Sequence, residues 1–448
     1  MNATPPMKPK AESYRDSFRA GIPEHREGPD WLQKLRKQAW ERFQTLGFPT
    51  RKIEDWKYIS LESLLNQPLV PAAASKFSDL KPQEILKDVL IPDGEKNRFV
   101  FLNGFEAKAL SSDADLPEGV KLENLSAAWN RHPAVKAWLG SGMESEQNPF
   151  ALINTFRFDQ GVFLHVPANV TVKSPIHLVV AGAGIPVSPP VFYPRILVVL
   201  EEGAQAEVVF HEIGIGKDAY FMNAVAEVVL GKNARLDWLT VARESEKAVR
   251  FLALRSRLAG GSSLETASFN ENGGLVREEI QVAMEGENAT YGFRGLSLLE
   301  GESQFFHHTV VDHKVPHCTS RQVGKNILAG NARAEFDNLV HVFRNAQKSD
   351  SNQLNRNLLL SGMARTYSRP RLRIDADDVQ CTHGSATGQL EDEELFYLQS
   401  RGFAKEQARF VLLDGFAQEI LNEIRPRSLV KPFETLTGRK LKEMIKSA

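Results

Sequence analysis

The chain has 448 residues, a formal net charge of −1 and 42% hydrophobic residues, enough for about three structural units at roughly 150 residues each. So neutral a balance is not that of a dedicated nucleic-acid binder, which carries a basic excess. Two cysteines, Cys318 and Cys381, exclude a disulfide-stapled secreted scaffold, and no apolar run approaches the roughly 20 residues that span a bilayer.

Residues 1–30 are polar and rich in proline and charge, and read as a loose tail. They hold no apolar signal segment, and Glu12, Asp16 and Glu24 argue against a transit peptide. The expected setting is therefore a reducing cytoplasm. Asp30 then stands as the N-cap of a helix carrying Leu32, Leu35, Ala39, Phe43 and Leu46 on one side, stopped by Gly47 and Pro49. The following run, Pro49-Thr-Arg-Lys-Ile-Glu-Asp-Trp-Lys-Tyr58, predicts a polar helix or turn anchored by Trp56. Mixed helix and loop follow to about residue 150.

From about residue 160 short β-rich runs dominate, among them Val162–Val166, Ile196–Leu200, Ala226–Leu230 and Glu279–Met284. Many are continuously apolar, as strands buried on both faces are. The most apolar region, Ile176–Leu200, is broken by Pro186, Pro189, Pro190 and Pro194. Glycine-centred turns recur at Gly203, Gly231 and Gly260, and again at Gly301 and Gly330. The intervals Gly203–Gly231, Gly231–Gly260 and Gly301–Gly330 are 28, 29 and 29 residues, a near-constant period that signals stacked coils, here a β-solenoid. The stretch between Gly260 and Gly301 breaks the period with an extra turn at Gly286, and an ordinary β-sandwich with glycine turns is the alternative. After Gly388 the pattern turns helical over Glu391–Arg401, Ala404–Arg425 and a last segment to about Ile445.

Several chemistries are excluded by absent motifs. There is no G-x-x-x-x-G-K-[ST] loop for a nucleotide, no G-x-S-x-G elbow, no H-E-x-x-H and no C-x-x-C. Ala181-Gly-Ala-Gly184 begins like a dinucleotide fingerprint, but the prolines after it leave no helix N-terminus for a pyrophosphate. The best candidate is Asp377-Asp-Val-Gln-Cys-Thr-His-Gly384. On a strand, Cys381 and His383 project to one face, and a thiolate beside an imidazole can ligate iron or zinc. Two ligands are half of what a cluster needs, so the functional reading is a half-site completed by another chain. The plainer alternative, which the residues alone favour, has Cys381 packed as a small apolar side chain and His383 bonded to a carbonyl.

A second group, His307, His308, His313, His317 and Cys318, matches no standard zinc spacing and reads as a histidine-rich surface strand. Asp375, Asp377 and Asp378 could imitate the carboxylates of a polysaccharide-cleaving β-helix enzyme, but acidic residues at a strand end more often cap the following turn.

The stretch Ala346-Gln-Lys-Ser-Asp350, with Asn355-Arg-Asn-Leu-Leu-Leu-Ser361, resembles the "AQK-T-D … NRNLLLS" segment of the SufB/SufD family. The likeness continues through Ala376–Gly384, Gly388-Gln-Leu390 and Leu395-Phe-Tyr-Leu-Gln-Ser-Arg-Gly402. Arg51–Tyr58 is similar to the "RK-x-E-x-WKYT" segment of the SufD branch, and His383 stands where that branch has a histidine after the cysteine. Cys318 departs from the family pattern and is given no role.

The resemblance implies a mainly β protein: a right-handed parallel β-helix over 156–388, a helical N-terminal domain over 31–155 and a C-terminal helical domain over 389–448. It implies a non-enzymatic scaffold subunit of iron–sulfur cluster assembly, paired with SufB through the β-helix ends and docked to the ATPase SufC through about residues 390–425. A transient, nascent cluster shared with SufB would use His383, with Cys381 beside it, and none would be held stably by this chain alone. No nucleic acid or membrane partner is expected, and a homodimer of the isolated chain is left open. The rival functions are an extracellular-type β-helix carbohydrate-active enzyme and a SufB-like homodimeric scaffold; two cysteines are few for the latter.

Overall fold

In a computed structural model, which describes residues 12–18, 27–73, 86, 89–92 and 95–447, two largely parallel sheets face each other and share one wound chain. From Arg195–Leu200 onward, consecutive long strands alternate between the sheets, so each coil adds one strand to each. One sheet has eleven strands and ends at Arg365–Ile374; the other has ten and ends at Gln380–Gly388. The expected mainly β solenoid with helices toward both ends is thus present.

The irregular glycine period has a simple origin. The turns at Gly203, Gly231, Gly260 and Gly286 all carry the chain from the first sheet to the other, whereas those at Gly301 and Gly330 carry it back along the opposite edge. The winding is unbroken; the glycines change edge. At Gly261, φ is +67°, and a Cβ there would lie 2.3 Å from the Asn233 Oδ1 of the previous coil. Glycine is required where turns stack this closely in a left-handed conformation.

The continuously apolar strands follow from burial on both faces. Inside, Val208, Trp238, Leu252, Ile280 and Val340 belong to one core. The outer face of the first sheet is covered by helices α1 (Asp30–Leu46) and α2 (Pro149–Arg157), where Phe43, Phe150 and Phe156 join Phe221 and Phe251 of the strands. Asp30 is the first helical residue of α1, not its cap; Pro29 takes that place, and Gly47 closes the helix through its N–H to Phe43 O. The N-terminal stretch also supplies strands, Arg98–Leu102 to one sheet and Lys121–Asn124 to the other. Within the segment read as a tail, Tyr14 and Phe18 are buried against Phe48 and Phe43; residues 1–11 and 19–26 lie outside the described residues.

Against the second sheet pack α4 (Lys405–Leu421) and α5 (Val430–Ser447), burying Leu413, Ala417, Phe433 and Leu441 on Leu239, Phe269 and Ile327. Lys325 fastens this joint, donating to Phe416 O at 2.8 Å and pairing with Glu419. Before them, α3 (Asp392–Ser400) buries no residue. No helix among the described residues is long and apolar enough to cross a membrane.

The interior also carries charge. Arg250 is fully buried between Glu212, with which it ion-pairs, and Glu278 at 3.9 Å. Glu278 accepts from Ser268 at 2.9 Å and meets His307 at 3.3 Å. Burial raises the Glu212 carboxyl to about 7 although Arg250 opposes it, and burial with the Glu212 charge raises Glu244 to about 8.

Candidate functional site

The strand Gln380–Gly388 is the last of its sheet, and its in-register pairing fixes where its side chains stand. Going up the coils, one interior position reads Val208, Trp238, Thr266, Phe293, Gln322, Gln353 and His383. The position two residues earlier reads Ala206, Leu236, Leu264, Tyr291, Ser320, Ser351 and Cys381. Cys381 and His383 therefore share a face, as their spacing predicts, and that face is the inside of the solenoid. Because no further coil covers it, His383 is exposed and Cys381 half-buried.

The interior changes character toward this end. Apolar in the first coils, it becomes hydroxyl and amide in the last three: Ser320 donates to Ser351 at 2.9 Å, and Asn338 donates across the gap to Gln322 at 2.8 Å. In the last coil Ser385 reaches Ser368 of the facing sheet at 2.8 Å. Such groups suit an end that meets water or another chain, since buried polar groups need partners. Burial, and then the Asp350 charge, push the Cys381 thiol up, so it is held as a thiol in the isolated chain. Metal binding needs the thiolate, and a bound cation would stabilise it.

Both terminal strands leave one edge unpaired among the described residues. The edge Arg365–Ile374 is backed by the N-terminal run. Glu54–Trp56 forms a single 3-10 turn with Trp56 buried, as an anchoring tryptophan should be. Arg369 pairs with Glu54, Arg371 Nη2 donates to Asp55 Oδ1 at 3.2 Å, and Tyr58 stacks on Tyr367 at 3.9 Å.

The second histidine group is not a surface strand. His307, His308 and His313 are all buried, because the strand Gln304–His313 is covered on both faces. His307 lies inside, stacked on Phe293 at 4.2 Å; His308 lies outside, 3.3 Å from Asp337; His313 bonds Ser320 at 2.9 Å. His317 occupies a turn at φ +62°, and burial raises the thiol of Cys318. These ligands do not converge on one another. His308 instead comes together with Asp55 and Asp337, their ligand atoms within 4.8 Å. Arg369 and Arg371 already pair with those carboxylates, and two guanidiniums repel a cation from the same spot, so this is an ion-pair node. Burial acts to raise the Asp337 carboxyl, but His308, Arg371 and Arg369 outweigh it and hold it below the usual range. Of the carboxylates considered for sugar chemistry, Asp375 meets His341 at 3.0 Å and Asp378 pairs with Lys348, so each is spent on its own neighbour.

The solenoid leaves its last coil open, with a thiol and an imidazole together on the exposed interior face. The chain belongs to the SufBD family of iron–sulfur cluster assembly proteins: the family described as "SUF system FeS cluster assembly, SufBD core domain" matches residues 184–416, and "SufBD protein N-terminal region" matches residues 10–178. It is 31% identical to an iron–sulfur cluster assembly SufBD family protein of Synechocystis sp., over 91% of this chain and 89% of that one. It is 28% identical to the iron–sulfur cluster assembly protein SufD of Escherichia coli, over 91% and 93% of the two chains. With SufD of Bacillus subtilis it shares 26% identity over 96% and 98%. Membership of this family favours cluster assembly over the carbohydrate-active alternative.

Proposed function

We propose that this chain is a SufD-type scaffold subunit without a catalytic centre of its own, contributing half of a cluster-assembly site to a complex with SufB and the ATPase SufC. The observation that carries the reading is the placement of Cys381 and His383 on the open interior face of the last coil. A nascent iron–sulfur cluster is the cargo, bound transiently between His383, with Cys381 beside it, and ligands from the SufB end. Unpaired strand edges are templates for pairing with another chain, and the two here flank the half-site. The same edges could join two copies of this chain, which the resemblance left open; a second copy would bring a second histidine and no additional cysteine pattern for sulfur transfer.

SufC has a docking surface in the C-terminal helices. Phe396 is 73% exposed and Tyr397 59% exposed on α3, and Phe403 and Val411 are also exposed. Phe403 and Val411 line a groove with Phe410, Ile445, Arg401 and Lys442, and Arg401 also lies over the Tyr397 ring. Large apolar side chains grouped on a surface mark an interaction site, and α4 is fixed to the solenoid through Lys325, so a pull on the helices reaches the strands. Nucleotide-driven closure of SufC would bias the scaffold between two arrangements.

The test is co-expression with SufB and SufC and affinity recovery through this chain. Wild type is expected to recover both. Phe396→Ser/Tyr397→Ser is expected to lose SufC by about tenfold or more in affinity, the scale of removing interface anchor residues, while keeping SufB. Undiminished recovery of SufC with the variant contradicts the docking surface, and failure of wild type to recover SufB contradicts the pairing.

A further inference from the structure

The Arg51–Tyr58 run takes no part in the half-site or the helical docking surface, yet it is joined to the end of the solenoid across more than 300 residues of sequence. Arg369 pairs with Glu54 through its side chain and donates to Glu54 O at 3.2 Å. Arg371 pairs with Asp55, and Arg277 of a deeper coil donates to Asp55 O at 3.0 Å while lying 4.0 Å over the Trp56 ring. Tyr58 and Tyr367 stack with their planes 13° apart.

Behind these contacts, Glu335 and Asp337 of the preceding strand receive the same two arginines. Arg369 lies 3.0 Å from Glu335, and Arg371 Nε 2.8 Å from Asp337. Burial raises Glu335 to about 7 against the pull of Arg369 and Arg277. Each arginine thus bridges an N-terminal carboxylate to a buried carboxylate one strand inward. Among the described residues nothing comparable backs the other open edge, Gln380–Gly388, where most residues are exposed.

We propose that Glu54, Asp55 and Tyr58 form a clasp that holds the edge strand Arg365–Ile374 in place from its outer face, and that Arg369 and Arg371 are positioning residues for the partner's β-helix. The link to pairing rests on the function proposed above; the clasp does not. The two edges then have different duties. The clasped edge is a fixed seat for a strand-edge partner, and the unclasped edge leaves Cys381 and His383 free to adjust as cluster ligands. A terminal strand with one free edge and no further coil opens easily, and an edge held in the twist and position its partner needs spares the partner the cost of ordering it.

The experiment uses the full chain with Glu54→Gln/Asp55→Asn/Tyr58→Ala, which keeps the Trp56 anchor, and Tyr58→Phe as the conservative control. Amide hydrogen exchange without any partner, followed by SufB affinity, are the readouts. The triple variant is expected to exchange about tenfold faster across Arg365–Ile374, a local-opening change, with the strand Phe221–Leu230 unchanged. SufB affinity is expected to fall about tenfold, and Tyr58→Phe to behave as wild type in both. Unchanged exchange at the edge overturns the clasp. Faster exchange with unchanged SufB affinity overturns its positioning role. If wild type itself fails to bind SufB, the pairing fails, and the exchange measurement on the isolated chain still decides the clasp.

Discussion

Replacing Arg250 with methionine is expected to destabilise the chain by about 3–5 kcal/mol at neutral pH, the scale of removing one member of a buried ion pair. Methionine fills similar space, so the loss is electrostatic. Glu212 and Glu278 flank Arg250 inside the solenoid, and Glu212 is already raised from 4.5 to about 7 by burial with the guanidinium in place. Without Arg250 that value climbs further. A carboxyl raised in the folded state favours folding while protonated. Its contribution is lost as pH rises above the unfolded value near 4.5 toward the folded one, at about 1.4 kcal/mol per unit. The variant is therefore expected to fall further below wild type at pH 8 than at pH 6. Urea midpoints at the two pH values measure this. A variant with a wild-type midpoint at pH 8 contradicts the ionic account of the interior.

Replacing His383 with alanine is expected to leave the fold unchanged and to remove most of the cluster from the complex. The imidazole is exposed and makes no hydrogen bond or ion pair among the described residues, so the stability change stays within about 0.5 kcal/mol. Cluster retention is another matter. Loss of even an outer-shell partner of a metal site costs about 10–100-fold in affinity, and a direct ligand should cost at least as much. The measurement is iron and acid-labile sulfide per complex after anaerobic co-purification with SufB and SufC. Normal content in the variant contradicts the ligand assignment.

The architecture was legible in the sequence because coils repeat. Glycines recur where turns stack, and strands covered on both faces are apolar throughout; both signals are local. The apparent break after Gly260 was not legible as a change of edge, since turns on the two edges of the solenoid share the same glycine-rich make-up. The shared face of Cys381 and His383 followed from a spacing of two. That this face is the solenoid interior, uncovered at its end, needed the pairing of Ser351 with Cys381 and Gln353 with His383. The histidines at 307, 308 and 313 misled because a cluster of polar side chains suggests a wet face, while here each is buried beside a carboxylate or hydroxyl. The clasp left one trace, a charged run with aromatics at 51–58; its partners at 367–371 are too distant in sequence for any local pattern to join them.

The proposed half-site predicts no stable cluster on this chain without a partner. The chain alone, and the chain co-expressed with SufB and SufC, are to be purified anaerobically and assayed for iron and acid-labile sulfide. The expected result is background content for the chain alone and a cluster on the complex. A stoichiometric cluster on the isolated monomer would contradict the half-site.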